Sequence, residues 1–214
     1  MTASGPRRSA PTGELPAPAD APHPGQPGRG AADRERLAAG EAGSGGPERG
    51  GPTSGDLAPE DLAAVAAQLG RPPRAVRAVA HRCPCGRPDV VETCPRLPDG
   101  TPFPTLYYLT CPRAAAAVGT LESSGLMRQM TARLAEDPGL ASAYHRAHRA
   151  YLTRRAELGD VPEIAGISAG GMPDRVKCLH VLVAHALAAG RGVNPLGDET
   201  LAVLPDWWAA GPCL

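Results

Sequence analysis

Six cysteine and histidine side chains are candidate ligands of a metal ion, and two short segments hold five of these six. Residues 83–85 read Cys-Pro-Cys, and residues 178–185 contain one cysteine and two histidines. Thiolates and imidazoles are the ligands that zinc prefers, usually four at a time in a tetrahedron. We therefore predict a site for zinc or another thiophilic metal. Its candidate ligands are Cys83, Cys85, Cys111, Cys178, His180 and His185.

Three predicted strands place the first of these thiols. Residues 75–81 and 105–111 carry the alternation and β-branched or aromatic content typical of strands, and "VVETC" (90–94) is a third such segment. The short connections between them favour an antiparallel meander. The ends of its strands then determine which cysteines can meet.

In such a meander Cys83, Cys85 and Cys111 share one end of the sheet. Cys94 falls at the other end, roughly 15–20 Å away at ~3.3 Å per residue. Three thiols at one edge need one more ligand to complete a tetrahedral site. Buried free cysteines acting as small apolar side chains are the alternative interpretation. The sequence favours zinc over an iron–sulfur cluster, since the cysteines show none of the familiar spacings of cluster ligands.

The fourth ligand is expected from a helix predicted between Pro173 and Gly190. At about 100° per residue, His180 is rotated about 200° from Cys178. His185 shares a face with Cys178 but lies about 10.5 Å further along the axis. One unbroken helix cannot place all three on one ion. Either Cys178 or one histidine therefore completes the predicted site.

The segment before that helix predicts an anion site. Gly170 and Gly171 let the backbone bend just before the predicted helix start, where free N–H groups favour anions. Arg175 and Lys177 add positive charge in the first turns. These four residues would suit a phosphate or a carboxylate. The alternative is a glycine turn that only leads into a proline-initiated helix.

A third candidate is a stripe on the helix predicted from Pro138 to Gly159. Spacings of four, three and four residues put its members on one face: Tyr144, His148, Tyr151 and Arg155. Such a stripe could line a cleft for a polar substrate, with His148 carrying protons. More often such a stripe is a half-buried face whose polar groups are satisfied by neighbours.

The whole pattern predicts an α+β fold. A small antiparallel three-stranded sheet is packed on a layer of four to five helices, after a disordered N-terminal leader. The leader, residues 1–55, is rich in Gly and Pro and has no apolar periodicity. Residues 56–206 are predicted to form a single globular domain, and residues 207–214 a short C-terminal tail.

Composition excludes several classes of protein. The formal net charge is zero, which argues against nucleic acid as the main partner. The sequence contains no apolar run of 18 residues and no signal peptide, so we expect no membrane span and a cytoplasmic location. In that compartment the six cysteines would be reduced thiols or metal ligands.

Three segments in order resemble an uncharacterised bacterial family, Domain of Unknown Function 501. They are "RLPDGTPFPTLYYLTCPR", "LESSGLMRQMTARLAEDP" and "SAGGMPDRVKCLHVLVAHALAAGRGVNPLGDE". The resemblance covers about residues 57–204 and implies a cytoplasmic bacterial protein. It implies no activity. It also gives Cys94 little weight as a ligand, because the family's version of "VETCP" often lacks this cysteine.

Three functions remain open from the sequence. The first is a metal-stabilised binding domain with a protein partner. The second is an enzyme that holds a phosphorylated or carboxylated small molecule at the anion site and uses Cys178 or His180 as nucleophile or base. The third is an interaction scaffold whose cysteines only pack.

Overall fold

A computed structural model describes residues 57–213 of the 214-residue chain. The predicted disordered leader, residues 1–55, lies outside the described residues. The described part contains six α-helices and three β-strands. In chain order these are α1 (Pro59–Leu69), β1 (Val76–Arg82), β2 (Pro88–Thr93), β3 (Tyr107–Leu109), α2 (Pro112–Ser123), α3 (Leu126–Glu136), α4 (Pro138–Leu158), α5 (Leu179–Ala189) and α6 (Pro195–Val203).

The three strands form one sheet in the order β1-β2-β3, and both pairs are antiparallel. Val91 pairs with Val79 on one side and with Tyr108 on the other. The central strand β2 is buried along its whole length. The predicted meander and α+β class are therefore confirmed. Only β3 is much shorter than the segment 105–111 that the residue types favoured.

Local sequence explains where several helices begin. Asp137 precedes Pro138, and its carboxylate accepts the Leu140 N–H at 2.9 Å, which caps α4. Asn194 caps α6 in the same way by accepting the Gly197 N–H at 3.0 Å. In both helices proline occupies the first turn, where no backbone donor is needed.

Helix α5 packs against the sheet and forms the centre of the core. Its residues Leu179, Leu182 and Val183 have no exposed surface. The segment 207–213, predicted to be a tail, joins this core, because Trp207 and Cys213 are both buried in it. The described domain therefore extends past residue 206, almost to the end of the chain.

The start of α5 differs from the prediction. The helix begins at Leu179 instead of Pro173. Residues 170–177 form a compact loop, in which the Lys177 N–H donates to Gly170 O at 2.8 Å and the Arg175 N–H donates to Gly171 O at 3.1 Å. The Arg175 N–H, which a helix starting at Pro173 would have left free, is therefore already used within the loop. The prediction was wrong because Pro173 resembles a first helical residue when the loop contacts are unknown.

None of the helices within residues 57–213 combines the length and the apolar character that a membrane span requires.

Candidate metal centres

Three cysteine thiols from opposite ends of the domain meet at one end of the sheet. The sulfur atoms of Cys83, Cys85 and Cys213 lie within 4.8 Å of one another. Cys83 and Cys213 are separated by 130 residues, yet their sulfurs are 3.7 Å apart. Their side chains are buried, while Cys85 is partly exposed. We call these three residues the thiol cluster.

A tight turn after β1 presents the first two thiols. The Cys83 N–H donates to Arg87 O at 2.9 Å, and the Gly86 N–H donates to Cys83 O at 2.8 Å. Gly86 has a φ of 85°, which glycine adopts without the steric cost that other residues meet. The turn therefore holds Cys83 and Cys85 on one side of the sheet end, as the sequence predicted.

Hydrogen bonds hold the C-terminal segment against this turn. The Arg113 guanidinium donates to Gly211 O at 2.8 Å. The Gln68 side-chain amide donates to Pro88 O at 2.8 Å and to Cys213 O at 3.3 Å. These contacts tie the segment to α1 and α2, and Gln68 also joins α1 to the start of β2. Cys213 thereby reaches the position that we had expected the helix with Cys178 to fill.

Cys111 lies next to the thiol cluster. It precedes Pro112 as the N-cap residue of α2 and is fully buried. Its sulfur interacts with that of Cys213, but it is not within 4.8 Å of all three cluster sulfurs. Cys111 is therefore the candidate for a fourth ligand beside the thiol cluster.

Burial and hydrogen bonds shift the pKa values of the cluster thiols in opposite directions. Burial raises the pKa of Cys83 and, together with the neighbouring thiols, that of Cys213. Burial also acts on Cys85, but hydrogen bonds from the backbone N–H groups of Cys213 and Arg87 and from the two other thiols outweigh it. They lower the pKa of Cys85 to about 7. Backbone N–H groups that point at sulfur stabilise its thiolate.

The spacing of the cluster fits a metal ion. Two zinc–sulfur bonds of about 2.3 Å at the tetrahedral angle place their sulfurs about 3.8 Å apart. The Cys83–Cys213 separation of 3.7 Å matches that value. A disulfide would need about 2.05 Å. Cys94, at the other end of β2, belongs to neither of the ligand clusters found among the described residues.

A second group of residues that could hold a metal ion lies at the start of α5. A carboxylate oxygen of Glu122, the sulfur of Cys178 and a ring nitrogen of His180 lie within 4.8 Å of one another. His180 Nδ1 is 3.1 Å from Glu122 Oε1, and His180 Nε2 donates to Ala115 O at 3.1 Å. The Cys178 sulfur and the Glu122 carboxylate outweigh burial and raise the pKa of His180 to about 9. We call these three residues the Glu-Cys-His cluster.

His185 belongs to neither cluster. It is almost completely buried, stacks on Tyr107 with ring centroids 5.8 Å apart, and meets the edge of Tyr151 at 5.2 Å. The Asn194 side-chain amide donates to its Nδ1 at 3.2 Å. Burial lowers the pKa of His185 to about 4, so the ring is neutral at physiological pH. The structure gives it the role of a core aromatic side chain.

The predicted anion-binding residues lie in the loop before α5, which lines a cleft of about 750 Å³. Arg175 and Lys177 are exposed there. Gly170 and Gly171 do not precede a helix directly. The N–H of Leu179, at the true helix start, already donates to Glu122 Oε1 at 2.6 Å. An anion in this cleft would therefore meet the two basic side chains instead of free helix N–H groups.

The stripe on α4 packs into the domain. Tyr144 and Tyr151 have no exposed surface, and Arg155 is 5% exposed. His148 Nδ1 lies 2.9 Å from Ser168 Oγ. The Tyr151 hydroxyl accepts the Leu106 N–H at 2.5 Å. These contacts agree with the interpretation of the stripe as a face satisfied by its neighbours.

Arg155 performs a structural task in that face. Its guanidinium donates to the carbonyl oxygens of Pro104 at 3.1 Å, Ile167 at 2.6 Å and Ile164 at 2.7 Å. A buried guanidinium needs such acceptors because its charge is not solvated. Arg155 thus ties the loop after α4, which leads to the glycine segment, to the segment before β3.

Sequence reasoning missed Cys213 and Glu122. Cys213, like Cys94, had no place in the predicted site, but it follows Trp207 and Trp208 closely in the sequence, and two adjacent tryptophans are a signal of a buried segment. Glu122 carried no signal, because a single glutamate near a helix end is ordinary.

One comparison with known proteins found a relationship. A family model described as Protein of unknown function (DUF501) matches residues 79–202. A search of curated proteins and a search of solved structures each returned no match. The matched range contains the Glu-Cys-His cluster, Cys83, Cys85 and Cys111, and it ends before Cys213.

Proposed function

The chain belongs to the DUF501 family, and we propose that it is a metal-stabilised domain in which the thiol cluster and Cys111 bind one zinc ion. The observation that carries this proposal is the convergence of three sulfurs, from the β1–β2 turn and from the C-terminal segment, with a separation of 3.7 Å between Cys83 and Cys213. Cys178, His180 and His185 are not ligands of this ion.

The proposed ion would cross-link the two ends of the domain. Cys83 and Cys85 follow β1, Cys111 precedes α2, and Cys213 ends the described chain. The other supports of the C-terminal segment are hydrogen bonds and the burial of Trp207. A structural zinc ion adds its binding free energy directly to folding, because the unfolded chain does not present a formed site.

The proposal requires reduced thiols, which a cytoplasmic location supplies. The alternative is that the four sulfurs only pack as small apolar groups. Packing alone does not account for the partly exposed Cys85, whose sulfur accepts hydrogen bonds from the backbone N–H groups of Cys213 and Arg87. Thiolates bound to metals commonly receive such bonds from the surrounding backbone.

Elemental analysis of untagged protein, purified without chelator and dialysed, tests the proposal. We expect zinc to remain bound, and we expect Cys83→Ser and Cys213→Ser each to remove one equivalent. Cys94→Ser is the control, since Cys94 is a cysteine at the other end of β2 that belongs to neither cluster. It should keep the wild-type metal content.

The variant Cys111→Ser tests the fourth ligand separately. If Cys111 completes the site, this variant loses affinity for zinc by more than about 10-fold. Metal content that is equal in wild type, Cys83→Ser and Cys213→Ser, or wild-type protein whose melting temperature is unchanged by a strong chelator, contradicts the proposal.

A further inference from the structure

We propose that the Glu-Cys-His cluster holds a second divalent metal ion with an open coordination position, and that this position takes the oxyanion group of a small molecule. The inference does not depend on the thiol cluster, because the two sites share no residue. In the metal-free protein both ring nitrogens of His180 donate to acceptors, so a bound metal ion would displace the Nδ1 proton. The carboxylate, the thiolate and the then neutral imidazole carry two negative charges, which a divalent cation balances.

The surroundings of His180 match those of a metal-bound histidine. Its Nε2 donates to Ala115 O at 3.1 Å, and a histidine that binds a metal usually donates its other ring nitrogen to a carbonyl or a carboxylate. This bond leaves Nδ1 as the metal-binding atom. Nδ1 is the ring nitrogen that faces Glu122, at 3.1 Å from Oε1.

The Glu122 carboxylate is oriented in a similar way. Its Oε1 accepts the Leu179 N–H at 2.6 Å, which fixes the carboxylate at the start of α5. Cys178 is the N-cap residue of the same helix. Two of the three ligands are therefore positioned by one helix end, and the third comes from α2. Such support by outer groups distinguishes a built site from a chance cluster.

Exposure separates this cluster from the thiol cluster. All three residues of the Glu-Cys-His cluster are partly exposed, whereas in the thiol cluster Cys85 alone is partly exposed and the other two residues are buried. Structural metal sites are closed by four protein ligands, and catalytic sites keep three protein ligands and an open position. The Glu-Cys-His cluster supplies three ligands and faces solvent, which is the second pattern.

The charge of the adjacent cleft indicates the kind of ligand. Among the three cluster residues, Cys178 lines the cleft formed by the loop before α5, together with Arg175 and Lys177. Cys178 also lines a second cleft, which His180 shares. Asp174 also lines the first cleft, so the basic residues exceed the acidic ones there by one. An oxyanion bound to the metal would be neutralised by these two cations. A phosphate or a carboxylate has the required charge and oxygen donors.

Titration of the metal-free, reduced full-length protein with Co²⁺ tests the metal site. The wild type should bind two ions. Cys178→Ser and His180→Gln should each bind one and weaken the second site by more than about 100-fold, because even outer-group losses cost 10–100-fold. Cys213→Ser should lose the other ion. His145→Gln, a change of an exposed histidine, is the control and should still bind two.

The visible absorption of bound Co²⁺ tests the open position. Inorganic phosphate should change the spectrum of the wild type and of Cys213→Ser, but not that of His180→Gln. The double variant Arg175→Ala, Lys177→Ala should weaken phosphate binding by about five- to tenfold, the combined effect of two exposed ion pairs. A spectrum that phosphate leaves unchanged overturns the open position.

Binding of a single ion by the wild type, removed by Cys213→Ser but not by His180→Gln, would overturn the metal site and leave the proposed function intact.

A further experiment needs no variant. Zn²⁺ should protect Cys178 from iodoacetamide in wild-type protein, as measured by mass spectrometry of the Cys178 peptide. Equal modification of Cys178 with and without Zn²⁺ refutes the site even if the variants fail to fold.

Discussion

Protonation of His185 should destabilise the folded protein as pH falls. The ring is buried and neutral, and burial lowers its pKa from an ordinary value of 6.5 to about 4. Asn194 donates to its Nδ1, and its other neighbours are the rings of Tyr107 and Tyr151, so no acidic group described there stabilises the imidazolium. The unfolded chain therefore binds a proton that the folded chain does not, between about pH 6.5 and pH 4.

The magnitude follows from the size of this shift. Stability from His185 is fully present above about pH 6.5 and is lost as pH falls towards 4. A shift of about 2.5 units corresponds to about 3 kcal/mol in total, at 1.36 kcal/mol per unit. Between about pH 7 and pH 5 the loss should be about 2 kcal/mol.

Urea denaturation of wild type and His185→Gln at several pH values measures this contribution. The variant is less stable overall, but only its pH dependence is compared. The wild type should lose about 2 kcal/mol more than the variant between about pH 7 and pH 5. Parallel pH profiles would refute the burial argument. A loss of bound zinc in His185→Gln, with the fold retained, would show that the residue is a metal ligand after all.

Three further changes test how the fold positions the two clusters. Arg155→Met should destabilise the domain by about 3 kcal/mol or more, because three buried carbonyl groups lose their charged donor, and Arg155→Lys should recover only part of this in thermal denaturation. Gly197→Ala should cost more than about 2 kcal/mol, because the new Cβ would overlap Leu182 O and Ala186 Cβ where α6 meets α5. Gly119→Ala is its matched control, since no atom lies within 4 Å of its Cβ position, and it should stabilise α2 by up to about 1 kcal/mol. Equal melting temperatures for the two alanine variants would contradict the close approach of the helices.

The sheet could be predicted from the sequence because the residues that specify its strands and turns are close together along the chain. Strand-forming residues between short connections specify an antiparallel meander. That topology alone puts the Cys-Pro-Cys turn and Cys111 at one end of the sheet and Cys94 at the other. The prediction needed no knowledge of how the helices pack.

The start of α5 and the composition of the clusters depend on distant contacts. Leu179 becomes the first helical residue where Glu122, 57 positions earlier, accepts its N–H. Cys213 reaches Cys83 across 130 positions. No local pattern encodes either encounter, so the sequence grouped Cys178 with the cysteines at the sheet end, whereas the structure places it beside Glu122 and His180. For the same reason Cys213 and Glu122 were left unassigned.

X-ray absorption at the zinc edge of the Cys178→Ser variant tests the central claim most directly, because this variant should retain only the ion at the thiol cluster. The account predicts one zinc ion per chain with about four sulfur neighbours at about 2.3 Å. A first shell dominated by nitrogen or oxygen, or the absence of bound metal in folded protein, would contradict it.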